Sequence, residues 1–124
     1  MKRGDLGVAV IGAGRIGTLR AKLAAKPPCV GFIAISDRDA SRAKALADEA
    51  GAHVHSGDNV AMIERPEVNA VFVSTPEGEH AAPIIRALEL GKAVLVEKPI
   101  ALELSDAHQI LETLKRTNGK LRIG

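Results

Sequence analysis

Four short stretches carry residues whose types and spacing could do chemistry. Gly12-Ala13-Gly14-Arg15-Ile16-Gly17 reads GxGxxG, directly after an apolar run and directly before a helical pattern. In that position the three glycines suit a dinucleotide pyrophosphate. Gly12 permits a tight turn, Gly14 admits the phosphate close to the backbone, and Gly17 lets helix and strand approach. The helix that follows would offer the phosphates its free N–H groups and partial positive charge. Asp37 lies 20 residues beyond the last glycine (37 − 17 = 20), where an acidic side chain accepts hydrogen bonds from an adenosine ribose. Its carboxylate would repel a 2′-phosphate and favours NAD, whereas the neighbouring Arg38 could pair with such a phosphate and keeps NADP open. Further on, Ser74-Thr75-Pro76-Glu77-Gly78-Glu79-His80 leaves a strong apolar run, offering hydroxyl and backbone groups to a ligand, with His80 placed to cap or orient the loop. Last, Glu97-Lys98-Pro99 puts a carboxylate and an ammonium at the end of the run VLV. There a lysine can donate to a substrate hydroxyl or carbonyl and share a proton.

These stretches need elements to aim them. Apolar runs at 6–12, 30–37, 69–75 and 92–98, with a weak one at 52–55 and a last one at 120–124, read as strands. Their continuity, rather than an in/out alternation, predicts a sheet covered on both faces. Between them, apolar residues recur at helical spacing: Ile16, Leu19 and Leu23; Ala43, Leu46, Ala47 and Ala50; Ala81, Ile84, Ile85 and Leu88; and Leu104, Ala107, Leu111 and Leu114. Asp39 and Ser105 are predicted N-caps, Gly51 and Gly91 are predicted helix stops, and a short helix is expected after Asp58. Strand–helix alternation with helix-length crossovers predicts an α/β fold, a doubly wound parallel sheet.

Bulk properties bound the possibilities. The 124 residues suffice for one domain with a real core. Lys+Arg 17 against Asp+Glu 15 is too balanced to argue for nucleic acid or an anionic membrane surface. With no Trp, no Tyr and only Phe32 and Phe72, the chain has no aromatic stacking platform. No segment reaches the ~18 apolar residues of a membrane span. Cys29 has no partner for an internal disulfide, which fits a reducing, cytoplasmic setting. His53, His55 and His108 have no metal-ligand companions at useful spacing, so no metal site is expected.

Taken together, VIGAGRIG, the strand-end Asp37, VSTPEGEH and EKP resemble the glucose–fructose oxidoreductase/inositol dehydrogenase/rhizopine-catabolism (Gfo/Idh/MocA) family, over essentially the whole chain. The resemblance implies the N-terminal Rossmann NAD(P)-binding domain of an oxidoreductase acting on sugars, polyols or related metabolites. In that family a C-terminal α/β domain supplies much of the substrate pocket and usually the oligomer interface. Carried over residue by residue, Gly12, Gly14, Arg15, Ile16 and Gly17 would touch the pyrophosphate, and Asp37 with Arg38 the adenosine ribose. Ser74, Thr75, Pro76 and His80 would line the nicotinamide side, Glu97 would meet the nicotinamide ribose, and Lys98 would be the catalytic residue near the transferred hydride. The resemblance also implies a cis Lys98–Pro99 bond. Arg20 departs from the pattern, standing where many members carry histidine.

The resulting expectation is a single dinucleotide-binding domain, residues 1–124, lacking the family's second domain. It would belong to a dehydrogenase of a sugar- or inositol-like secondary alcohol, with NAD as cofactor and NADP possible, and with the longer parent a homo-oligomer. The alternative is a stand-alone nucleotide-binding or redox-sensing module without catalysis. A cleft side stripped of its partner domain would expose apolar surface.

Overall fold

The computed structural model describes residues 6–124. Six strands form one parallel sheet: β1 (Leu6–Ile11), β2 (Val30–Ser36), β3 (Val54–Ser56), β4 (Ala70–Val73), β5 (Ala93–Val96) and β6 (Leu121–Ile123). Their order across the sheet is β3-β2-β1-β4-β5-β6. Helices α1 (Arg15–Ala24), α2 (Ala40–Ala50), α3 (Asn59–Ile63), α4 (Ala81–Glu89) and α5 (Leu104–Thr117) make the crossovers, with a 3-10 turn at Glu77–Glu79 before α4. This is the doubly wound, Rossmann-like fold that the alternation predicts. No helix among the described residues is long and apolar enough to cross a membrane.

The central strand shows why the apolar runs are continuous. Val8 and Val10 enter a core shared with Ala21 and Ala24 of α1 and Ala43, Leu46 and Ala47 of α2. Ala9 and Ile11, pointing the other way, enter a core shared with Met62 and Ile63 of α3, Ile84 and Leu88 of α4 and Ile110 of α5. Both faces of β1 are therefore buried, and alternation vanishes from the sequence.

Local signals set most helix ends. The Asp39 side chain accepts from the Ser41 and Arg42 N–H groups to start α2, and Asp58 accepts from the Ala61 N–H to start α3. Gly51 and Gly91 adopt left-handed conformations as the chain leaves α2 and α4. The Lys98–Pro99 bond is cis.

The structure departs from the sequence pattern in three places. Ser105 does not cap α5; Glu103 occupies that position and Ser105 lies inside the first turn. The face of α1 carrying Ile16, Leu19 and Leu23 is not the core face: these residues are 38%, 54% and 52% exposed, while Gly17, Ala21 and Ala24 are buried. The reason is distance. A Cβ on Gly17 would lie 1.7 Å from the Gly12 carbonyl oxygen, so α1 sits too close to the sheet for anything but small residues on its inner side. In α5, Leu104 and Leu111 likewise face solvent, and Ile110 and Thr113 turn inward. Leu114 of the predicted stripe packs against the core and Ala107 is half-buried, so the buried face is rotated toward Ile110 and Thr113, not opposite.

Candidate functional site

Order reversal places the site. The chain leaves β1 for β2 on one side and returns to β4 on the other, so the loops after β1 and β4 part and open a crevice between them. The Gly12–Gly17 turn follows β1, Asp37 follows β2, Ser74-Thr75 follows β4 and Glu97-Lys98 follows β5. Because all the strands are parallel, these four segments share one edge of the sheet.

Two adjoining chambers, each of about 510 Å³, occupy that edge. Gly12, Gly14, Arg15, Asp37 and Arg38 line the first, and His80, Glu97 and Lys98 line the second. Ile16, Ser74, Thr75 and Pro76 line both, so the chambers form one cleft from Asp37 to Lys98. Gly17 alone among the expected residues lines neither chamber; its place is in the packing of α1.

The glycine loop is built from its hydrogen bonds. The Gly12 N–H donates to Ser36 O at 2.7 Å, and Gly12 holds φ +105°, a conformation that side chains resist. The Ala13 N–H donates to Asp37 Oδ2 at 2.8 Å, while Asp37 Oδ1 accepts from the Asp39 N–H at 2.8 Å. The carboxylate is thus fixed beside the glycine turn, and its remaining lone pairs are free for a ligand. Asp39, in the same chamber, is committed to capping α2. Its carboxyl is held below the ordinary value by the Ser41 hydroxyl and then by the Arg42 N–H.

At the other end, His80 is 1% exposed and spends its ring on two site loops, with Nδ1 3.0 Å from Pro99 O and Nε2 3.1 Å from Thr75 O. It ties the turn after β4 to the turn after β5. The Thr75 hydroxyl donates to Glu79 O at 3.3 Å, closing the 3-10 turn. Glu97 pairs with Arg20 of α1, and Lys98 stands exposed at the cleft mouth.

The site's chemistry suits a dinucleotide. Gly14, the N-cap of α1, has no capping side chain, and a Cβ built on it meets nothing within 4 Å. The first-turn N–H groups therefore open onto the cleft with room for a phosphate. Ser74 Oγ, in the segment common to both chambers, is buried and finds no hydrogen-bond partner among the described residues, an unusual state for a hydroxyl unless a ligand supplies one. Among the described residues no group of three potential metal ligands exists.

The family model described as the oxidoreductase family with an NAD-binding Rossmann fold, Gfo/Idh/MocA, matches residues 6–124. The chain belongs to this family. NAD, the expected cofactor of the Gfo/Idh/MocA fold, agrees with that description. Scyllo-inositol 2-dehydrogenase (NAD(+)) of Bacillus subtilis is 35% identical over 117 residues, which is 94% of this chain and 34% of the relative. The structure of myo-inositol dehydrogenase from Lactobacillus casei in complex with NAD(H) and myo-inositol superposes with a TM-score of 0.86. It shares 27% identity, over 96% of this chain and 36% of that one. A 3-ketoreductase from Actinomadura kijaniata in complex with TDP-benzene and NADP gives a TM-score of 0.82 at 32% identity, over 96% and 38%. The chain thus spans about a third of the length of these Gfo/Idh/MocA proteins.

Sequence reasoning missed several members of the site. Arg20, a departure from the family pattern in the sequence, is Glu97's partner. Asp39, Arg42, Asn59 and Glu79 also line the first chamber. Glu79 was visible inside STPEGEH and Arg42 in the first turn of α2, but neither position carries a motif that marks it.

Proposed function

We propose that residues 1–124 are the dinucleotide-binding domain of a longer NAD-dependent dehydrogenase acting on a sugar- or inositol-like secondary alcohol. The observation that carries this reading is the single cleft joining Asp37, the open N-terminus of α1, the unpartnered Ser74 hydroxyl and Lys98. The names and bound ligands of the inositol dehydrogenases it resembles support the substrate class.

The roles follow from position. Asp37 accepts from the adenosine ribose hydroxyls, with Arg38 beside it. The backbone of Gly12, Gly14, Arg15 and Ile16 faces the pyrophosphate, and Gly17 lets α1 pack close enough to present it. Ser74, Thr75 and Pro76 form the floor under the nicotinamide end, and His80 braces that floor. Glu97, held by Arg20, meets the nicotinamide ribose. A bound nicotinamide dinucleotide supplies the hydride acceptor. The Nζ of Lys98 holds the substrate oxygen by hydrogen bond, steadies negative charge as it develops there, and relays the hydroxyl proton to water at the cleft mouth, giving up one N–H proton as it takes the other. A second domain would close the substrate side and mediate a homo-oligomer in the cytoplasm.

Calorimetric titration of the chain with NADH and NADPH tests the binding reading, with NADH expected to bind. The longer protein, assayed with inositols and sugars, tests the reaction. Failure of the chain to bind either dinucleotide would sink the proposal, as would undiminished turnover in Lys98→Met of the longer enzyme.

A further inference from the structure

We infer that Glu79 is a cofactor-specificity residue. By holding the Arg38 guanidinium, it withholds the cation that a 2′-phosphate would need, so the cleft selects NAD over NADP through two carboxylates on separate loops. The inference rests on the dinucleotide reading above and deepens it at the adenosine end.

The ion pair spans the first chamber. Arg38 Nη1 lies 2.6 Å from Glu79 Oε1, joining the loop after β2 to the loop after β4. Arg38 directly follows Asp37, so its guanidinium belongs where the ribose 2′ substituent must sit once Asp37 accepts from the ribose hydroxyls. Among the described residues Arg38 makes its ion pair with Glu79 and none with Asp37, whose oxygens accept from the Ala13 and Asp39 N–H groups. Arg42, the other cation near this end, has Asp39 beside it at 3.9 Å. Glu79 does not sit there by the chance of a loose loop. Its N–H donates to Pro76 O at 2.8 Å and its carbonyl accepts from the Thr75 hydroxyl, which fixes the backbone from which the carboxylate reaches.

An incoming 2′-phosphate would find Arg38 already paired, and a second carboxylate close by would repel it. A 2′-hydroxyl is neutral, donates to Asp37 and meets no such cost. The Arg38 side chain is 76% exposed, so water screens the pair and the discrimination is graded.

The test uses adenosine-end fragments, 5′-AMP and 2′,5′-ADP, together with NADH and NADPH, titrated calorimetrically into the wild-type chain, Glu79→Gln and Glu79→Gln/Arg38→Ala. Glu79→Gln should tighten 2′,5′-ADP and NADPH about fivefold, as expected for an exposed charge pair, and move 5′-AMP and NADH by less than about twofold. Removing Arg38 as well should abolish the gain. An unchanged ratio in Glu79→Gln overturns the inference, and so does a gain that survives the loss of Arg38. A wild-type chain that binds NADH while the ratio stays fixed overturns this inference alone. One that binds none of the four ligands overturns the dinucleotide reading with it.

Discussion

Ser74 puts folding and binding in opposition. Its buried hydroxyl has no partner among the described residues, so the folded chain carries a desolvation cost there that no hydrogen bond offsets. Ser74→Ala should leave the free chain as stable or slightly more so, while weakening NADH by about 1 kcal/mol, roughly fivefold. Paired thermal melts and titrations check this, and a variant that loses stability without losing affinity would place the hydroxyl in the fold and not in the site. If this chain is the proposed dinucleotide-binding domain, Lys98→Met in the longer dehydrogenase should cut kcat by a hundredfold or more, on the order of general acid–base contributions, and leave the NADH dissociation constant within about twofold. Much of the site was legible at this scale, because a glycine pattern, an aspartate at a fixed interval and a strand-end lysine are local signals. Partners were not. Arg20 meets Glu97 across 77 positions and Arg38 meets Glu79 across the cleft, and such pairings are decided by the sheet that brings the loops together.

Helix α1 shows how an element's function can override its periodicity. Ordinarily, replacing glycine by alanine within a helix stabilises it by up to about 1 kcal/mol. Gly17→Ala should do the reverse, costing about 2–4 kcal/mol, because its methyl would meet the Gly12 carbonyl at 1.7 Å and the turn cannot retreat. Denaturant titration reads the sign directly. The same closeness is why bulky residues misled the sequence reading. Ile16, Leu19 and Leu23 have the right spacing for a core stripe, but the inner side admits only Gly17, Ala21 and Ala24. Helix α2 buries Ala43, Leu46 and Ala47 as its pattern predicts. Its cap adds a pH dependence. The Asp39 carboxyl is held below its ordinary value of 3.8, so the fold binds fewer protons there than the unfolded chain does. That contribution is present in full above the ordinary value and is lost as pH falls through the lowered one. Asp39→Asn should therefore flatten the decline of thermal stability below about pH 4, where this cap titrates, and a melt series from pH 7 to pH 2 would reveal it.

The whole molecule divides its helices unequally between the faces of the sheet, and the last prediction follows from that. Helices α1 and α2 pack with the core around Val8 and Val10, while α3, α4 and α5 share the other face. On the α1 side, Phe72 of β4 and its register neighbour Leu95 of β5 remain only half-buried. Arg20 looks over these strands from α1, since it reaches Glu97 at the end of β5, and Ile16, Leu19 and Leu23 lie on the same face of that helix. The topology could be read from strand–helix alternation, because handedness and short connections leave few ways to wind it. Which apolar residues stay uncovered could not, since periodicity reports that a stripe exists and not what lies opposite it. Ile16, Leu19 and Leu23 are contiguous on one helix face beside half-buried strand residues, unlike the singly scattered exposed leucines common on protein surfaces. We therefore expect the isolated chain to self-associate as its concentration rises. Leu19→Gln/Leu23→Gln should suppress this in sedimentation velocity. The same substitutions should shift the melting temperature by no more than about 2 °C, because side chains about half exposed give up little on replacement. A large fall in melting temperature would show instead that the stripe is buried in the chain's own fold, and a dimer that persists through both changes would place the contact elsewhere.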